Sequence, residues 1–274
     1  MGPKTLVMGI LNVTRDSFSD GGKFFELDKA VAHARQMAED GADILDIGGE
    51  STRPYSDPVP LAEEIRRTIP VIEAISGHVR IPISIDTTKA EVARKAIDAG
   101  AALINDISAF RLDPDMAALA AEREVPVILM HMQGTPKNMQ KAPRYDDLIG
   151  EIKAFFERVM AGAEEKGVLR SKMIIDPGIG FGKTFAHNFS LLRRMREFQS
   201  LGVPILAGPS RKAFIRNKLK PAHLDDIDPM AETVETGTQA AIAAAALNGA
   251  HIVRSHNVPG TCATLAIIDA VKSA

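Results

Sequence analysis

Short apolar runs alternate with longer amphipathic stretches along almost the whole chain. The runs fall at 6–11, 44–47, 81–85, 103–107, 127–130, 173–175, 203–206 and 251–253. They are nearly continuous rather than alternating, which is the pattern of parallel strands buried on both faces. Between them the spacing predicts helices. Over 27–40 it sets Val31, Ala34, Met37 and Ala38 on one side, and over 147–166 it does the same for Ile149, Ile152, Phe156, Val159 and Met160. Several helices share one ending, Gly-Ala just before a strand, at Gly41, Gly100 and Gly249. Glycine there supplies the left-handed residue that closes a helix. About eight strands alternating with about eight helices, with no linker, predict an α/β fold, a single (β/α)8 TIM barrel spanning 1–274. An open doubly wound sheet is the competing arrangement. Long polar segments at 12–25 and 49–60 predict long loops after strands 1 and 2.

Composition narrows the class. The 274 residues, 45% of them hydrophobic, suffice for a substantial core. Lys+Arg 33 against Asp+Glu 35 leaves a net charge of −2, which argues against a nucleic-acid binder. The single cysteine, Cys262, has no partner for an internal disulfide, so a cytoplasmic, reducing location is expected. No apolar run approaches the roughly 20 residues of a membrane helix.

Nearly every strand-like run ends in, or holds, a polar residue. Asn12 follows the first; Asp46 lies inside the second; Asp86 ends the third; Asn105 and Asp106 sit in the fourth; His131 follows the fifth. Asp176 ends the sixth, Ser210, Arg211 and Lys212 follow the seventh, and Arg254 and His256 the eighth. In a barrel these positions converge on the C-terminal mouth, where such enzymes keep their active sites. Asp46, deep in its strand, reads as a structural partner more readily than as a ligand, and Asp106 stays ambiguous. Asp57, Glu63 and Glu64 read as acids at the start of a helix. Arg66, Arg67, Arg94 and Lys95 read as solvated helix faces.

The segment from Asp176 to Lys183, Asp-Pro-Gly-Ile-Gly-Phe-Gly-Lys, sets an acid at a strand end before glycines that permit close backbone approach. Its Gly182-Lys183-Thr184 ending fits a phosphate-cradling loop, but Pro177 stands where that motif needs its leading glycine. Lys183 likewise stands where a dinucleotide fingerprint needs its last glycine. Alternation aims Arg254 and His256 the same way, and with Ser210, Arg211 and Lys212 they favour an anionic substrate. No nucleophile-base pair and no metal-ligand spacing is visible, so the site reads as one built for binding and charge stabilisation.

These residues resemble the dihydropteroate synthase family of pterin-binding barrel enzymes. The motifs keep their order over nearly the whole chain. They are Gly9-Ile-Leu-Asn-Val-Thr-x-Asp-Ser-Phe-Ser-Asp-Gly-Gly22, Gly48-Gly-Glu-Ser-Thr-Arg-Pro54, Ser84-Ile-Asp-Thr87, Ile104-Asn-Asp106, the 176–183 segment, Ser210-Arg-Lys212 and Arg254-x-His256. Arg15, Pro209 and Asn257, and the Tyr55-Ser-Asp-Pro run, depart from the family pattern beside the ligand positions.

The resemblance implies a transferase of folate synthesis and a target of sulfonamides. It condenses 6-hydroxymethyl-7,8-dihydropterin pyrophosphate with p-aminobenzoate to 7,8-dihydropteroate, without a protein nucleophile. It also implies Mg²⁺ associated with Asn12, and a pterin held by Asp86, Asn105, Asp176 and Lys212. Arg254 and His256 would grip the phosphates, and p-aminobenzoate would lie among Thr52, Arg53, Pro54, Phe181, Ser210 and Lys212. Asn12, Asp86, Asp176, Lys212, Arg254 and His256 form the implied catalytic set, and the family is commonly homodimeric. A corrinoid-linked methyltetrahydrofolate methyltransferase shares a similar pterin set but needs neither a pyrophosphate grip nor a p-aminobenzoate pocket.

Overall fold

The computed structural model describes residues 4–13, 23–51 and 56–274, with backbone alone for 23–26. The eight strands are β1 (Leu6–Asn12), β2 (Ile44–Gly48), β3 (Ile83–Asp86), β4 (Leu103–Asp106), β5 (Val127–Met130), β6 (Met173–Asp176), β7 (Leu206–Ala207) and β8 (Ile252–Ser255). They form one sheet in the order β6-β5-β4-β3-β2-β1-β8-β7, and every pairing is parallel. A parallel bridge between Ile175 and Ile205 joins the two ends. The amide of Ile175 donates to the Pro204 carbonyl at 2.9 Å there, so the sheet closes into a barrel rather than fanning open.

The outer ring comprises α1 (Lys23–Glu39), α2 (Leu61–Ser76), α3 (Ala90–Asp98), α4 (Met116–Glu122), α5 (Leu148–Glu165), α6 (Phe185–Arg194), α7 (Ala213–Leu219), α8 (Glu232–Leu247) and α9 (Val258–Ser273). The predicted spacing holds: Ala34 and Met37 are buried on α1, and Ile149, Ile152, Phe156 and Met160 on α5. The shared helix ending is also present, with left-handed φ of 99° at Gly41, 114° at Gly100 and 102° at Gly249.

Two strands differ from the apolar runs that predicted them. β3 starts at Ile83 and β7 at Leu206, two or three residues late. Pro82 and Pro204 have no N–H to give a ladder, so only their carbonyls take part, as acceptors from Leu45 and Ile175. The loops expected after strands 1 and 2 include 14–22 and 52–55, which lie outside the described residues.

A plug of Met8, Ile44, Leu103, Ile128, Leu206 and Ile252 fills the barrel, with Leu6 and Ile174 packed against it. Residues two apart on a strand share a face. Asp46, Asn105, Asp176 and Arg254 each follow Ile44, Leu103, Ile174 and Ile252 by two, so all four project inward just above the plug. The plug is thus a floor that raises these polar groups to the C-terminal mouth.

Candidate active site

Asp46 is fully buried and sits at the centre of the polar layer. Its Oδ2 accepts from Arg254 Nε at 2.5 Å and from Asn105 Nδ2 at 3.0 Å. Arg254 Nη2 donates to Asp86 Oδ2 at 2.7 Å. Four residues from β2, β3, β4 and β8 thus form one connected group. Asp46 is the structural partner that the sequence favoured, although its Oδ1 and the neighbouring Ser84 Oγ have no hydrogen-bond partner. Burial pushes the Asp86 carboxyl up to about 7, Arg254 opposes this and Asp46 reinforces it. Removal from water favours the neutral form of the Asp86 carboxyl.

Asp176 lies across the mouth, its Oδ1 accepting from the Gly178 amide at 2.7 Å. Burial raises its pKa, while the Gly178 amide, Lys212, Lys183 and Arg254 pull it down. Lys212 Nζ stands 3.9 Å over the Phe181 ring. A Cβ on Gly180 would come within 2.8 Å of Lys212 Cδ, so the glycine lets the turn after β6 close against that side chain. Ser210 Oγ lies 2.9 Å from His256 Nδ1 and accepts from the His256 amide at 3.3 Å, joining the ends of β7 and β8. Asn12, exposed at the end of β1, reaches the same rim. A Cβ on Gly48 would meet both Asn12 Oδ1 at 3.8 Å and Asp86 Oδ2 at 3.7 Å.

Asn12, Asp86, Asn105, Asp176, Phe181, Ser210, Lys212, Arg254 and His256 are thereby gathered at one end of the barrel. Thr52, Arg53 and Pro54 lie outside the described residues. Asp106, which the sequence left ambiguous, faces away from the barrel axis. It caps the following turn by accepting from the amides of Ser108 at 2.8 Å and Phe110 at 2.7 Å.

Two readings of the sequence, those of Arg67 and Arg211, are corrected, and one, that of Glu64, is extended. Glu64 does stand in the first turn of α2, and it is also fully buried, where both it and Glu50 accept from Lys89 Nζ. Arg67 is buried as well, with Nη1 donating to the Gly49 carbonyl at 2.9 Å, so α2 braces the start of the second loop. Arg211 does not join Lys212 in facing the mouth. Its left-handed φ of 56° turns it outward, to 3.5 Å from Glu235 and 2.9 Å from Met230 Sδ. Ile107, Met130, Met132 and Met139 form an apolar cluster against Phe181, a grouping that no sequence pattern marks because methionines after a strand carry no signal of their own.

A family model described as pterin binding enzyme matches residues 8–256. The chain belongs to the pterin binding enzyme family. It is 48% identical over 270 residues to the dihydropteroate synthase of Synechocystis, covering 98% of this chain and 91% of that protein. It is 46% identical over 268 residues to the Escherichia coli dihydropteroate synthase, covering 98% and 92%. The crystal structure of the Yersinia pestis dihydropteroate synthase with a sulfonamide drug superposes with a TM-score of 0.92 at 42% identity, covering 100% of this chain and 97% of that one. The Xanthomonas albilineans dihydropteroate synthase in complex with 7,8-dihydropteroate gives a TM-score of 0.86 at 42% identity, covering 100% and 96%. The expected family and the barrel are both borne out.

Proposed function

We infer that this chain is a dihydropteroate synthase, a transferase of folate synthesis. It joins 6-hydroxymethyl-7,8-dihydropterin pyrophosphate to p-aminobenzoate and releases pyrophosphate. The observation that carries this reading is the convergence of Asp86, Asn105, Asp176 and Lys212 on one rim with Arg254 and His256. Relatives solved with 4-aminobenzoic acid, pteroic acid and dihydropteroate support the same substrates.

The pterin's aminopyrimidine edge presents N–H groups beside ring acceptors. Asp176 and Asp86 accept from the former, and Asn105 and Lys212 donate to the latter. Each charge-assisted bond contributes about 1.5–3 kcal/mol. Arg254 commits its Nε and one Nη2 hydrogen to Asp46 and Asp86, which leaves three of five N–H donors for a phosphate or the pterin face. His256, oriented by Ser210, completes the diphosphate grip. On the other side p-aminobenzoate lies against Phe181, Ser210 and Lys212, with Thr52, Arg53 and Pro54 from the second loop. Sulfonamides compete at that subsite.

In the reaction the C–O bond to pyrophosphate breaks and its electron pair leaves with the diphosphate. The arylamine nitrogen forms the new C–N bond at the exocyclic carbon and gives up a proton. The buried carboxylates stabilise positive charge building on the pterin, and the cationic tips stabilise negative charge on the leaving group. Asn12 offers one neutral oxygen beside Asp86 at the rim. Among the described residues no cluster of three His, Cys, Asp or Glu side chains could hold a metal ion. Mg²⁺ takes most of its ligands from phosphate and water, so the Asn12 oxygen would hold it together with the diphosphate. When bound, Mg²⁺ supplies charge neutralisation at the departing diphosphate.

The reading treats 1–274 as one pterin-binding domain, cytoplasmic and homodimeric. The single thiol supports the first location. Ile267 and Val271, exposed one turn apart on α9, support self-association. Purified protein with Mg²⁺, the dihydropterin pyrophosphate and labelled p-aminobenzoate is expected to give dihydropteroate. No product, together with methyl transfer from methyltetrahydrofolate to a corrinoid, reverses the assignment.

A further inference from the structure

Lys183 ends the glycine-rich segment after β6, and its side chain turns inward. It is only 2% exposed. Its Nζ donates to the Phe181 carbonyl at 2.9 Å and lies 3.0 Å from His131 Nδ1 and 3.4 Å from the His131 carbonyl. All three are uncharged acceptors, because burial and the nearby Lys183 and Arg111 push the imidazole of His131 down to about 2. The ring is wedged edge-on against Phe155 at 4.8 Å between centroids, which fixes the direction in which Nδ1 points. Burial pushes the Lys183 ammonium down to about 7, and a group enclosed by these partners is not placed to meet a substrate phosphate.

The rest of the turn is tied with similar completeness. The Gly180 amide donates to Asn188 Oδ1 at 2.6 Å, and Gln140 Nε2 donates to the Gly180 carbonyl at 2.8 Å. Tyr145 Oη donates to the Gly182 carbonyl at 2.8 Å, and the Phe181 amide to the Gly178 carbonyl at 3.0 Å. A Cβ on Gly178 would come within 1.9 Å of the His131 carbonyl oxygen, so the turn presses on the end of β5. What this fixed turn presents to the mouth is the Phe181 ring under Lys212.

We propose that Lys183, oriented by His131, is a positioning residue that holds the Phe181–Lys212 wall of the p-aminobenzoate subsite. This rests on the placement of p-aminobenzoate given above. Fixing the Phe181 carbonyl fixes the peptide plane from which the ring projects. Without the ammonium, two buried carbonyls and an imidazole lose their donor, and the turn relaxes by solvating them. Asp86 and Asn105 hold the pterin from the ends of β3 and β4, outside this turn, so pterin binding depends on it less.

Lys183→Met keeps an unbranched apolar stem, one atom shorter, and removes every side-chain donor. The folded variant is expected to show a KM for p-aminobenzoate raised about ten-fold, with kcat and the calorimetric Kd of a pterin each changed by less than about three-fold. Tyr145→Phe removes one tie to the same turn from its half-buried outer side. It is expected to raise the same KM about two-fold or more. A merely structural Lys183 would lower the melting temperature and the active fraction yet leave KM at the wild-type value, and that result overturns the proposal. So does a pterin Kd that worsens as much as KM. If Lys183→Met does not fold, Tyr145→Phe decides, and an unchanged KM overturns it. A wild-type protein that forms no dihydropteroate defeats the functional reading instead, whereas an active one with unmoved variants defeats only the positioning role.

Discussion

Arg254 Nε lies 2.5 Å from Asp46 Oδ2, joining residues 208 positions apart in the chain. Asp46 is wholly buried, while the Arg254 side chain keeps about a fifth of its surface open to the mouth. The pair therefore belongs at once to the core and to the site. Removing one partner of a buried ion pair strands the other charge, at about 3–5 kcal/mol. Arg254→Leu is expected to destabilise the protein by that amount in urea unfolding, and Asp46→Asn in the same chain to restore part of it. Additive losses in the double variant would count against the coupling.

The pH dependence of pterin binding follows from Asp86. Its carboxyl is pushed up to about 7 from an ordinary 3.8, so the folded chain holds this proton more tightly than the unfolded one. Its contribution to stability is therefore full below about pH 3.8 and is lost as pH rises towards about 7. Binding has the opposite sign, since the ionised carboxylate is the form that accepts pterin N–H groups. Pterin affinity measured by calorimetry is expected to climb through about pH 7, and Asp86→Asn to abolish that limb.

Asp176 and Ser210 separate the two substrates. Asp176→Asn is expected to weaken pterin binding about 10- to 100-fold through loss of charge-assisted bonds. Ser210→Ala is expected to act chiefly on p-aminobenzoate, raising its KM about three- to thirty-fold, with a smaller rise for the pterin pyrophosphate through the lost contact with His256. Steady-state kinetics with each substrate varied in turn checks the split, and equal effects on both would refute the partition.

Lys89 and Lys95 look alike on the page of a sequence and differ in the fold. Lys89 neutralises the fully buried Glu64, whereas Lys95 is exposed and pairs along its own helix with Glu91 at 3.4 Å. Lys89→Met is expected to cost about 3 kcal/mol or more. Lys95→Met is expected to stay within about 0.5 kcal/mol by the same denaturation curve.

The order of strands and helices, the inward faces and the ring of polar tips were all legible in the chain. Each depends on local periodicity and on the polar residue that ends an apolar run. Asp86, Asn105 and Asp176 could be assigned to one rim because parallel strands of a barrel all point the same way. Pairings across long stretches of chain were not legible. That Arg254 reaches Asp46, that Lys89 reaches Glu64, and that Arg211 turns away while Lys212 turns in are set by where the closed barrel brings distant backbone. The burial of Lys183 has the same origin. A one-dimensional pattern records which residues can be charged, whereas the dielectric around them and the partner within 3 Å exist only after the sheet has closed.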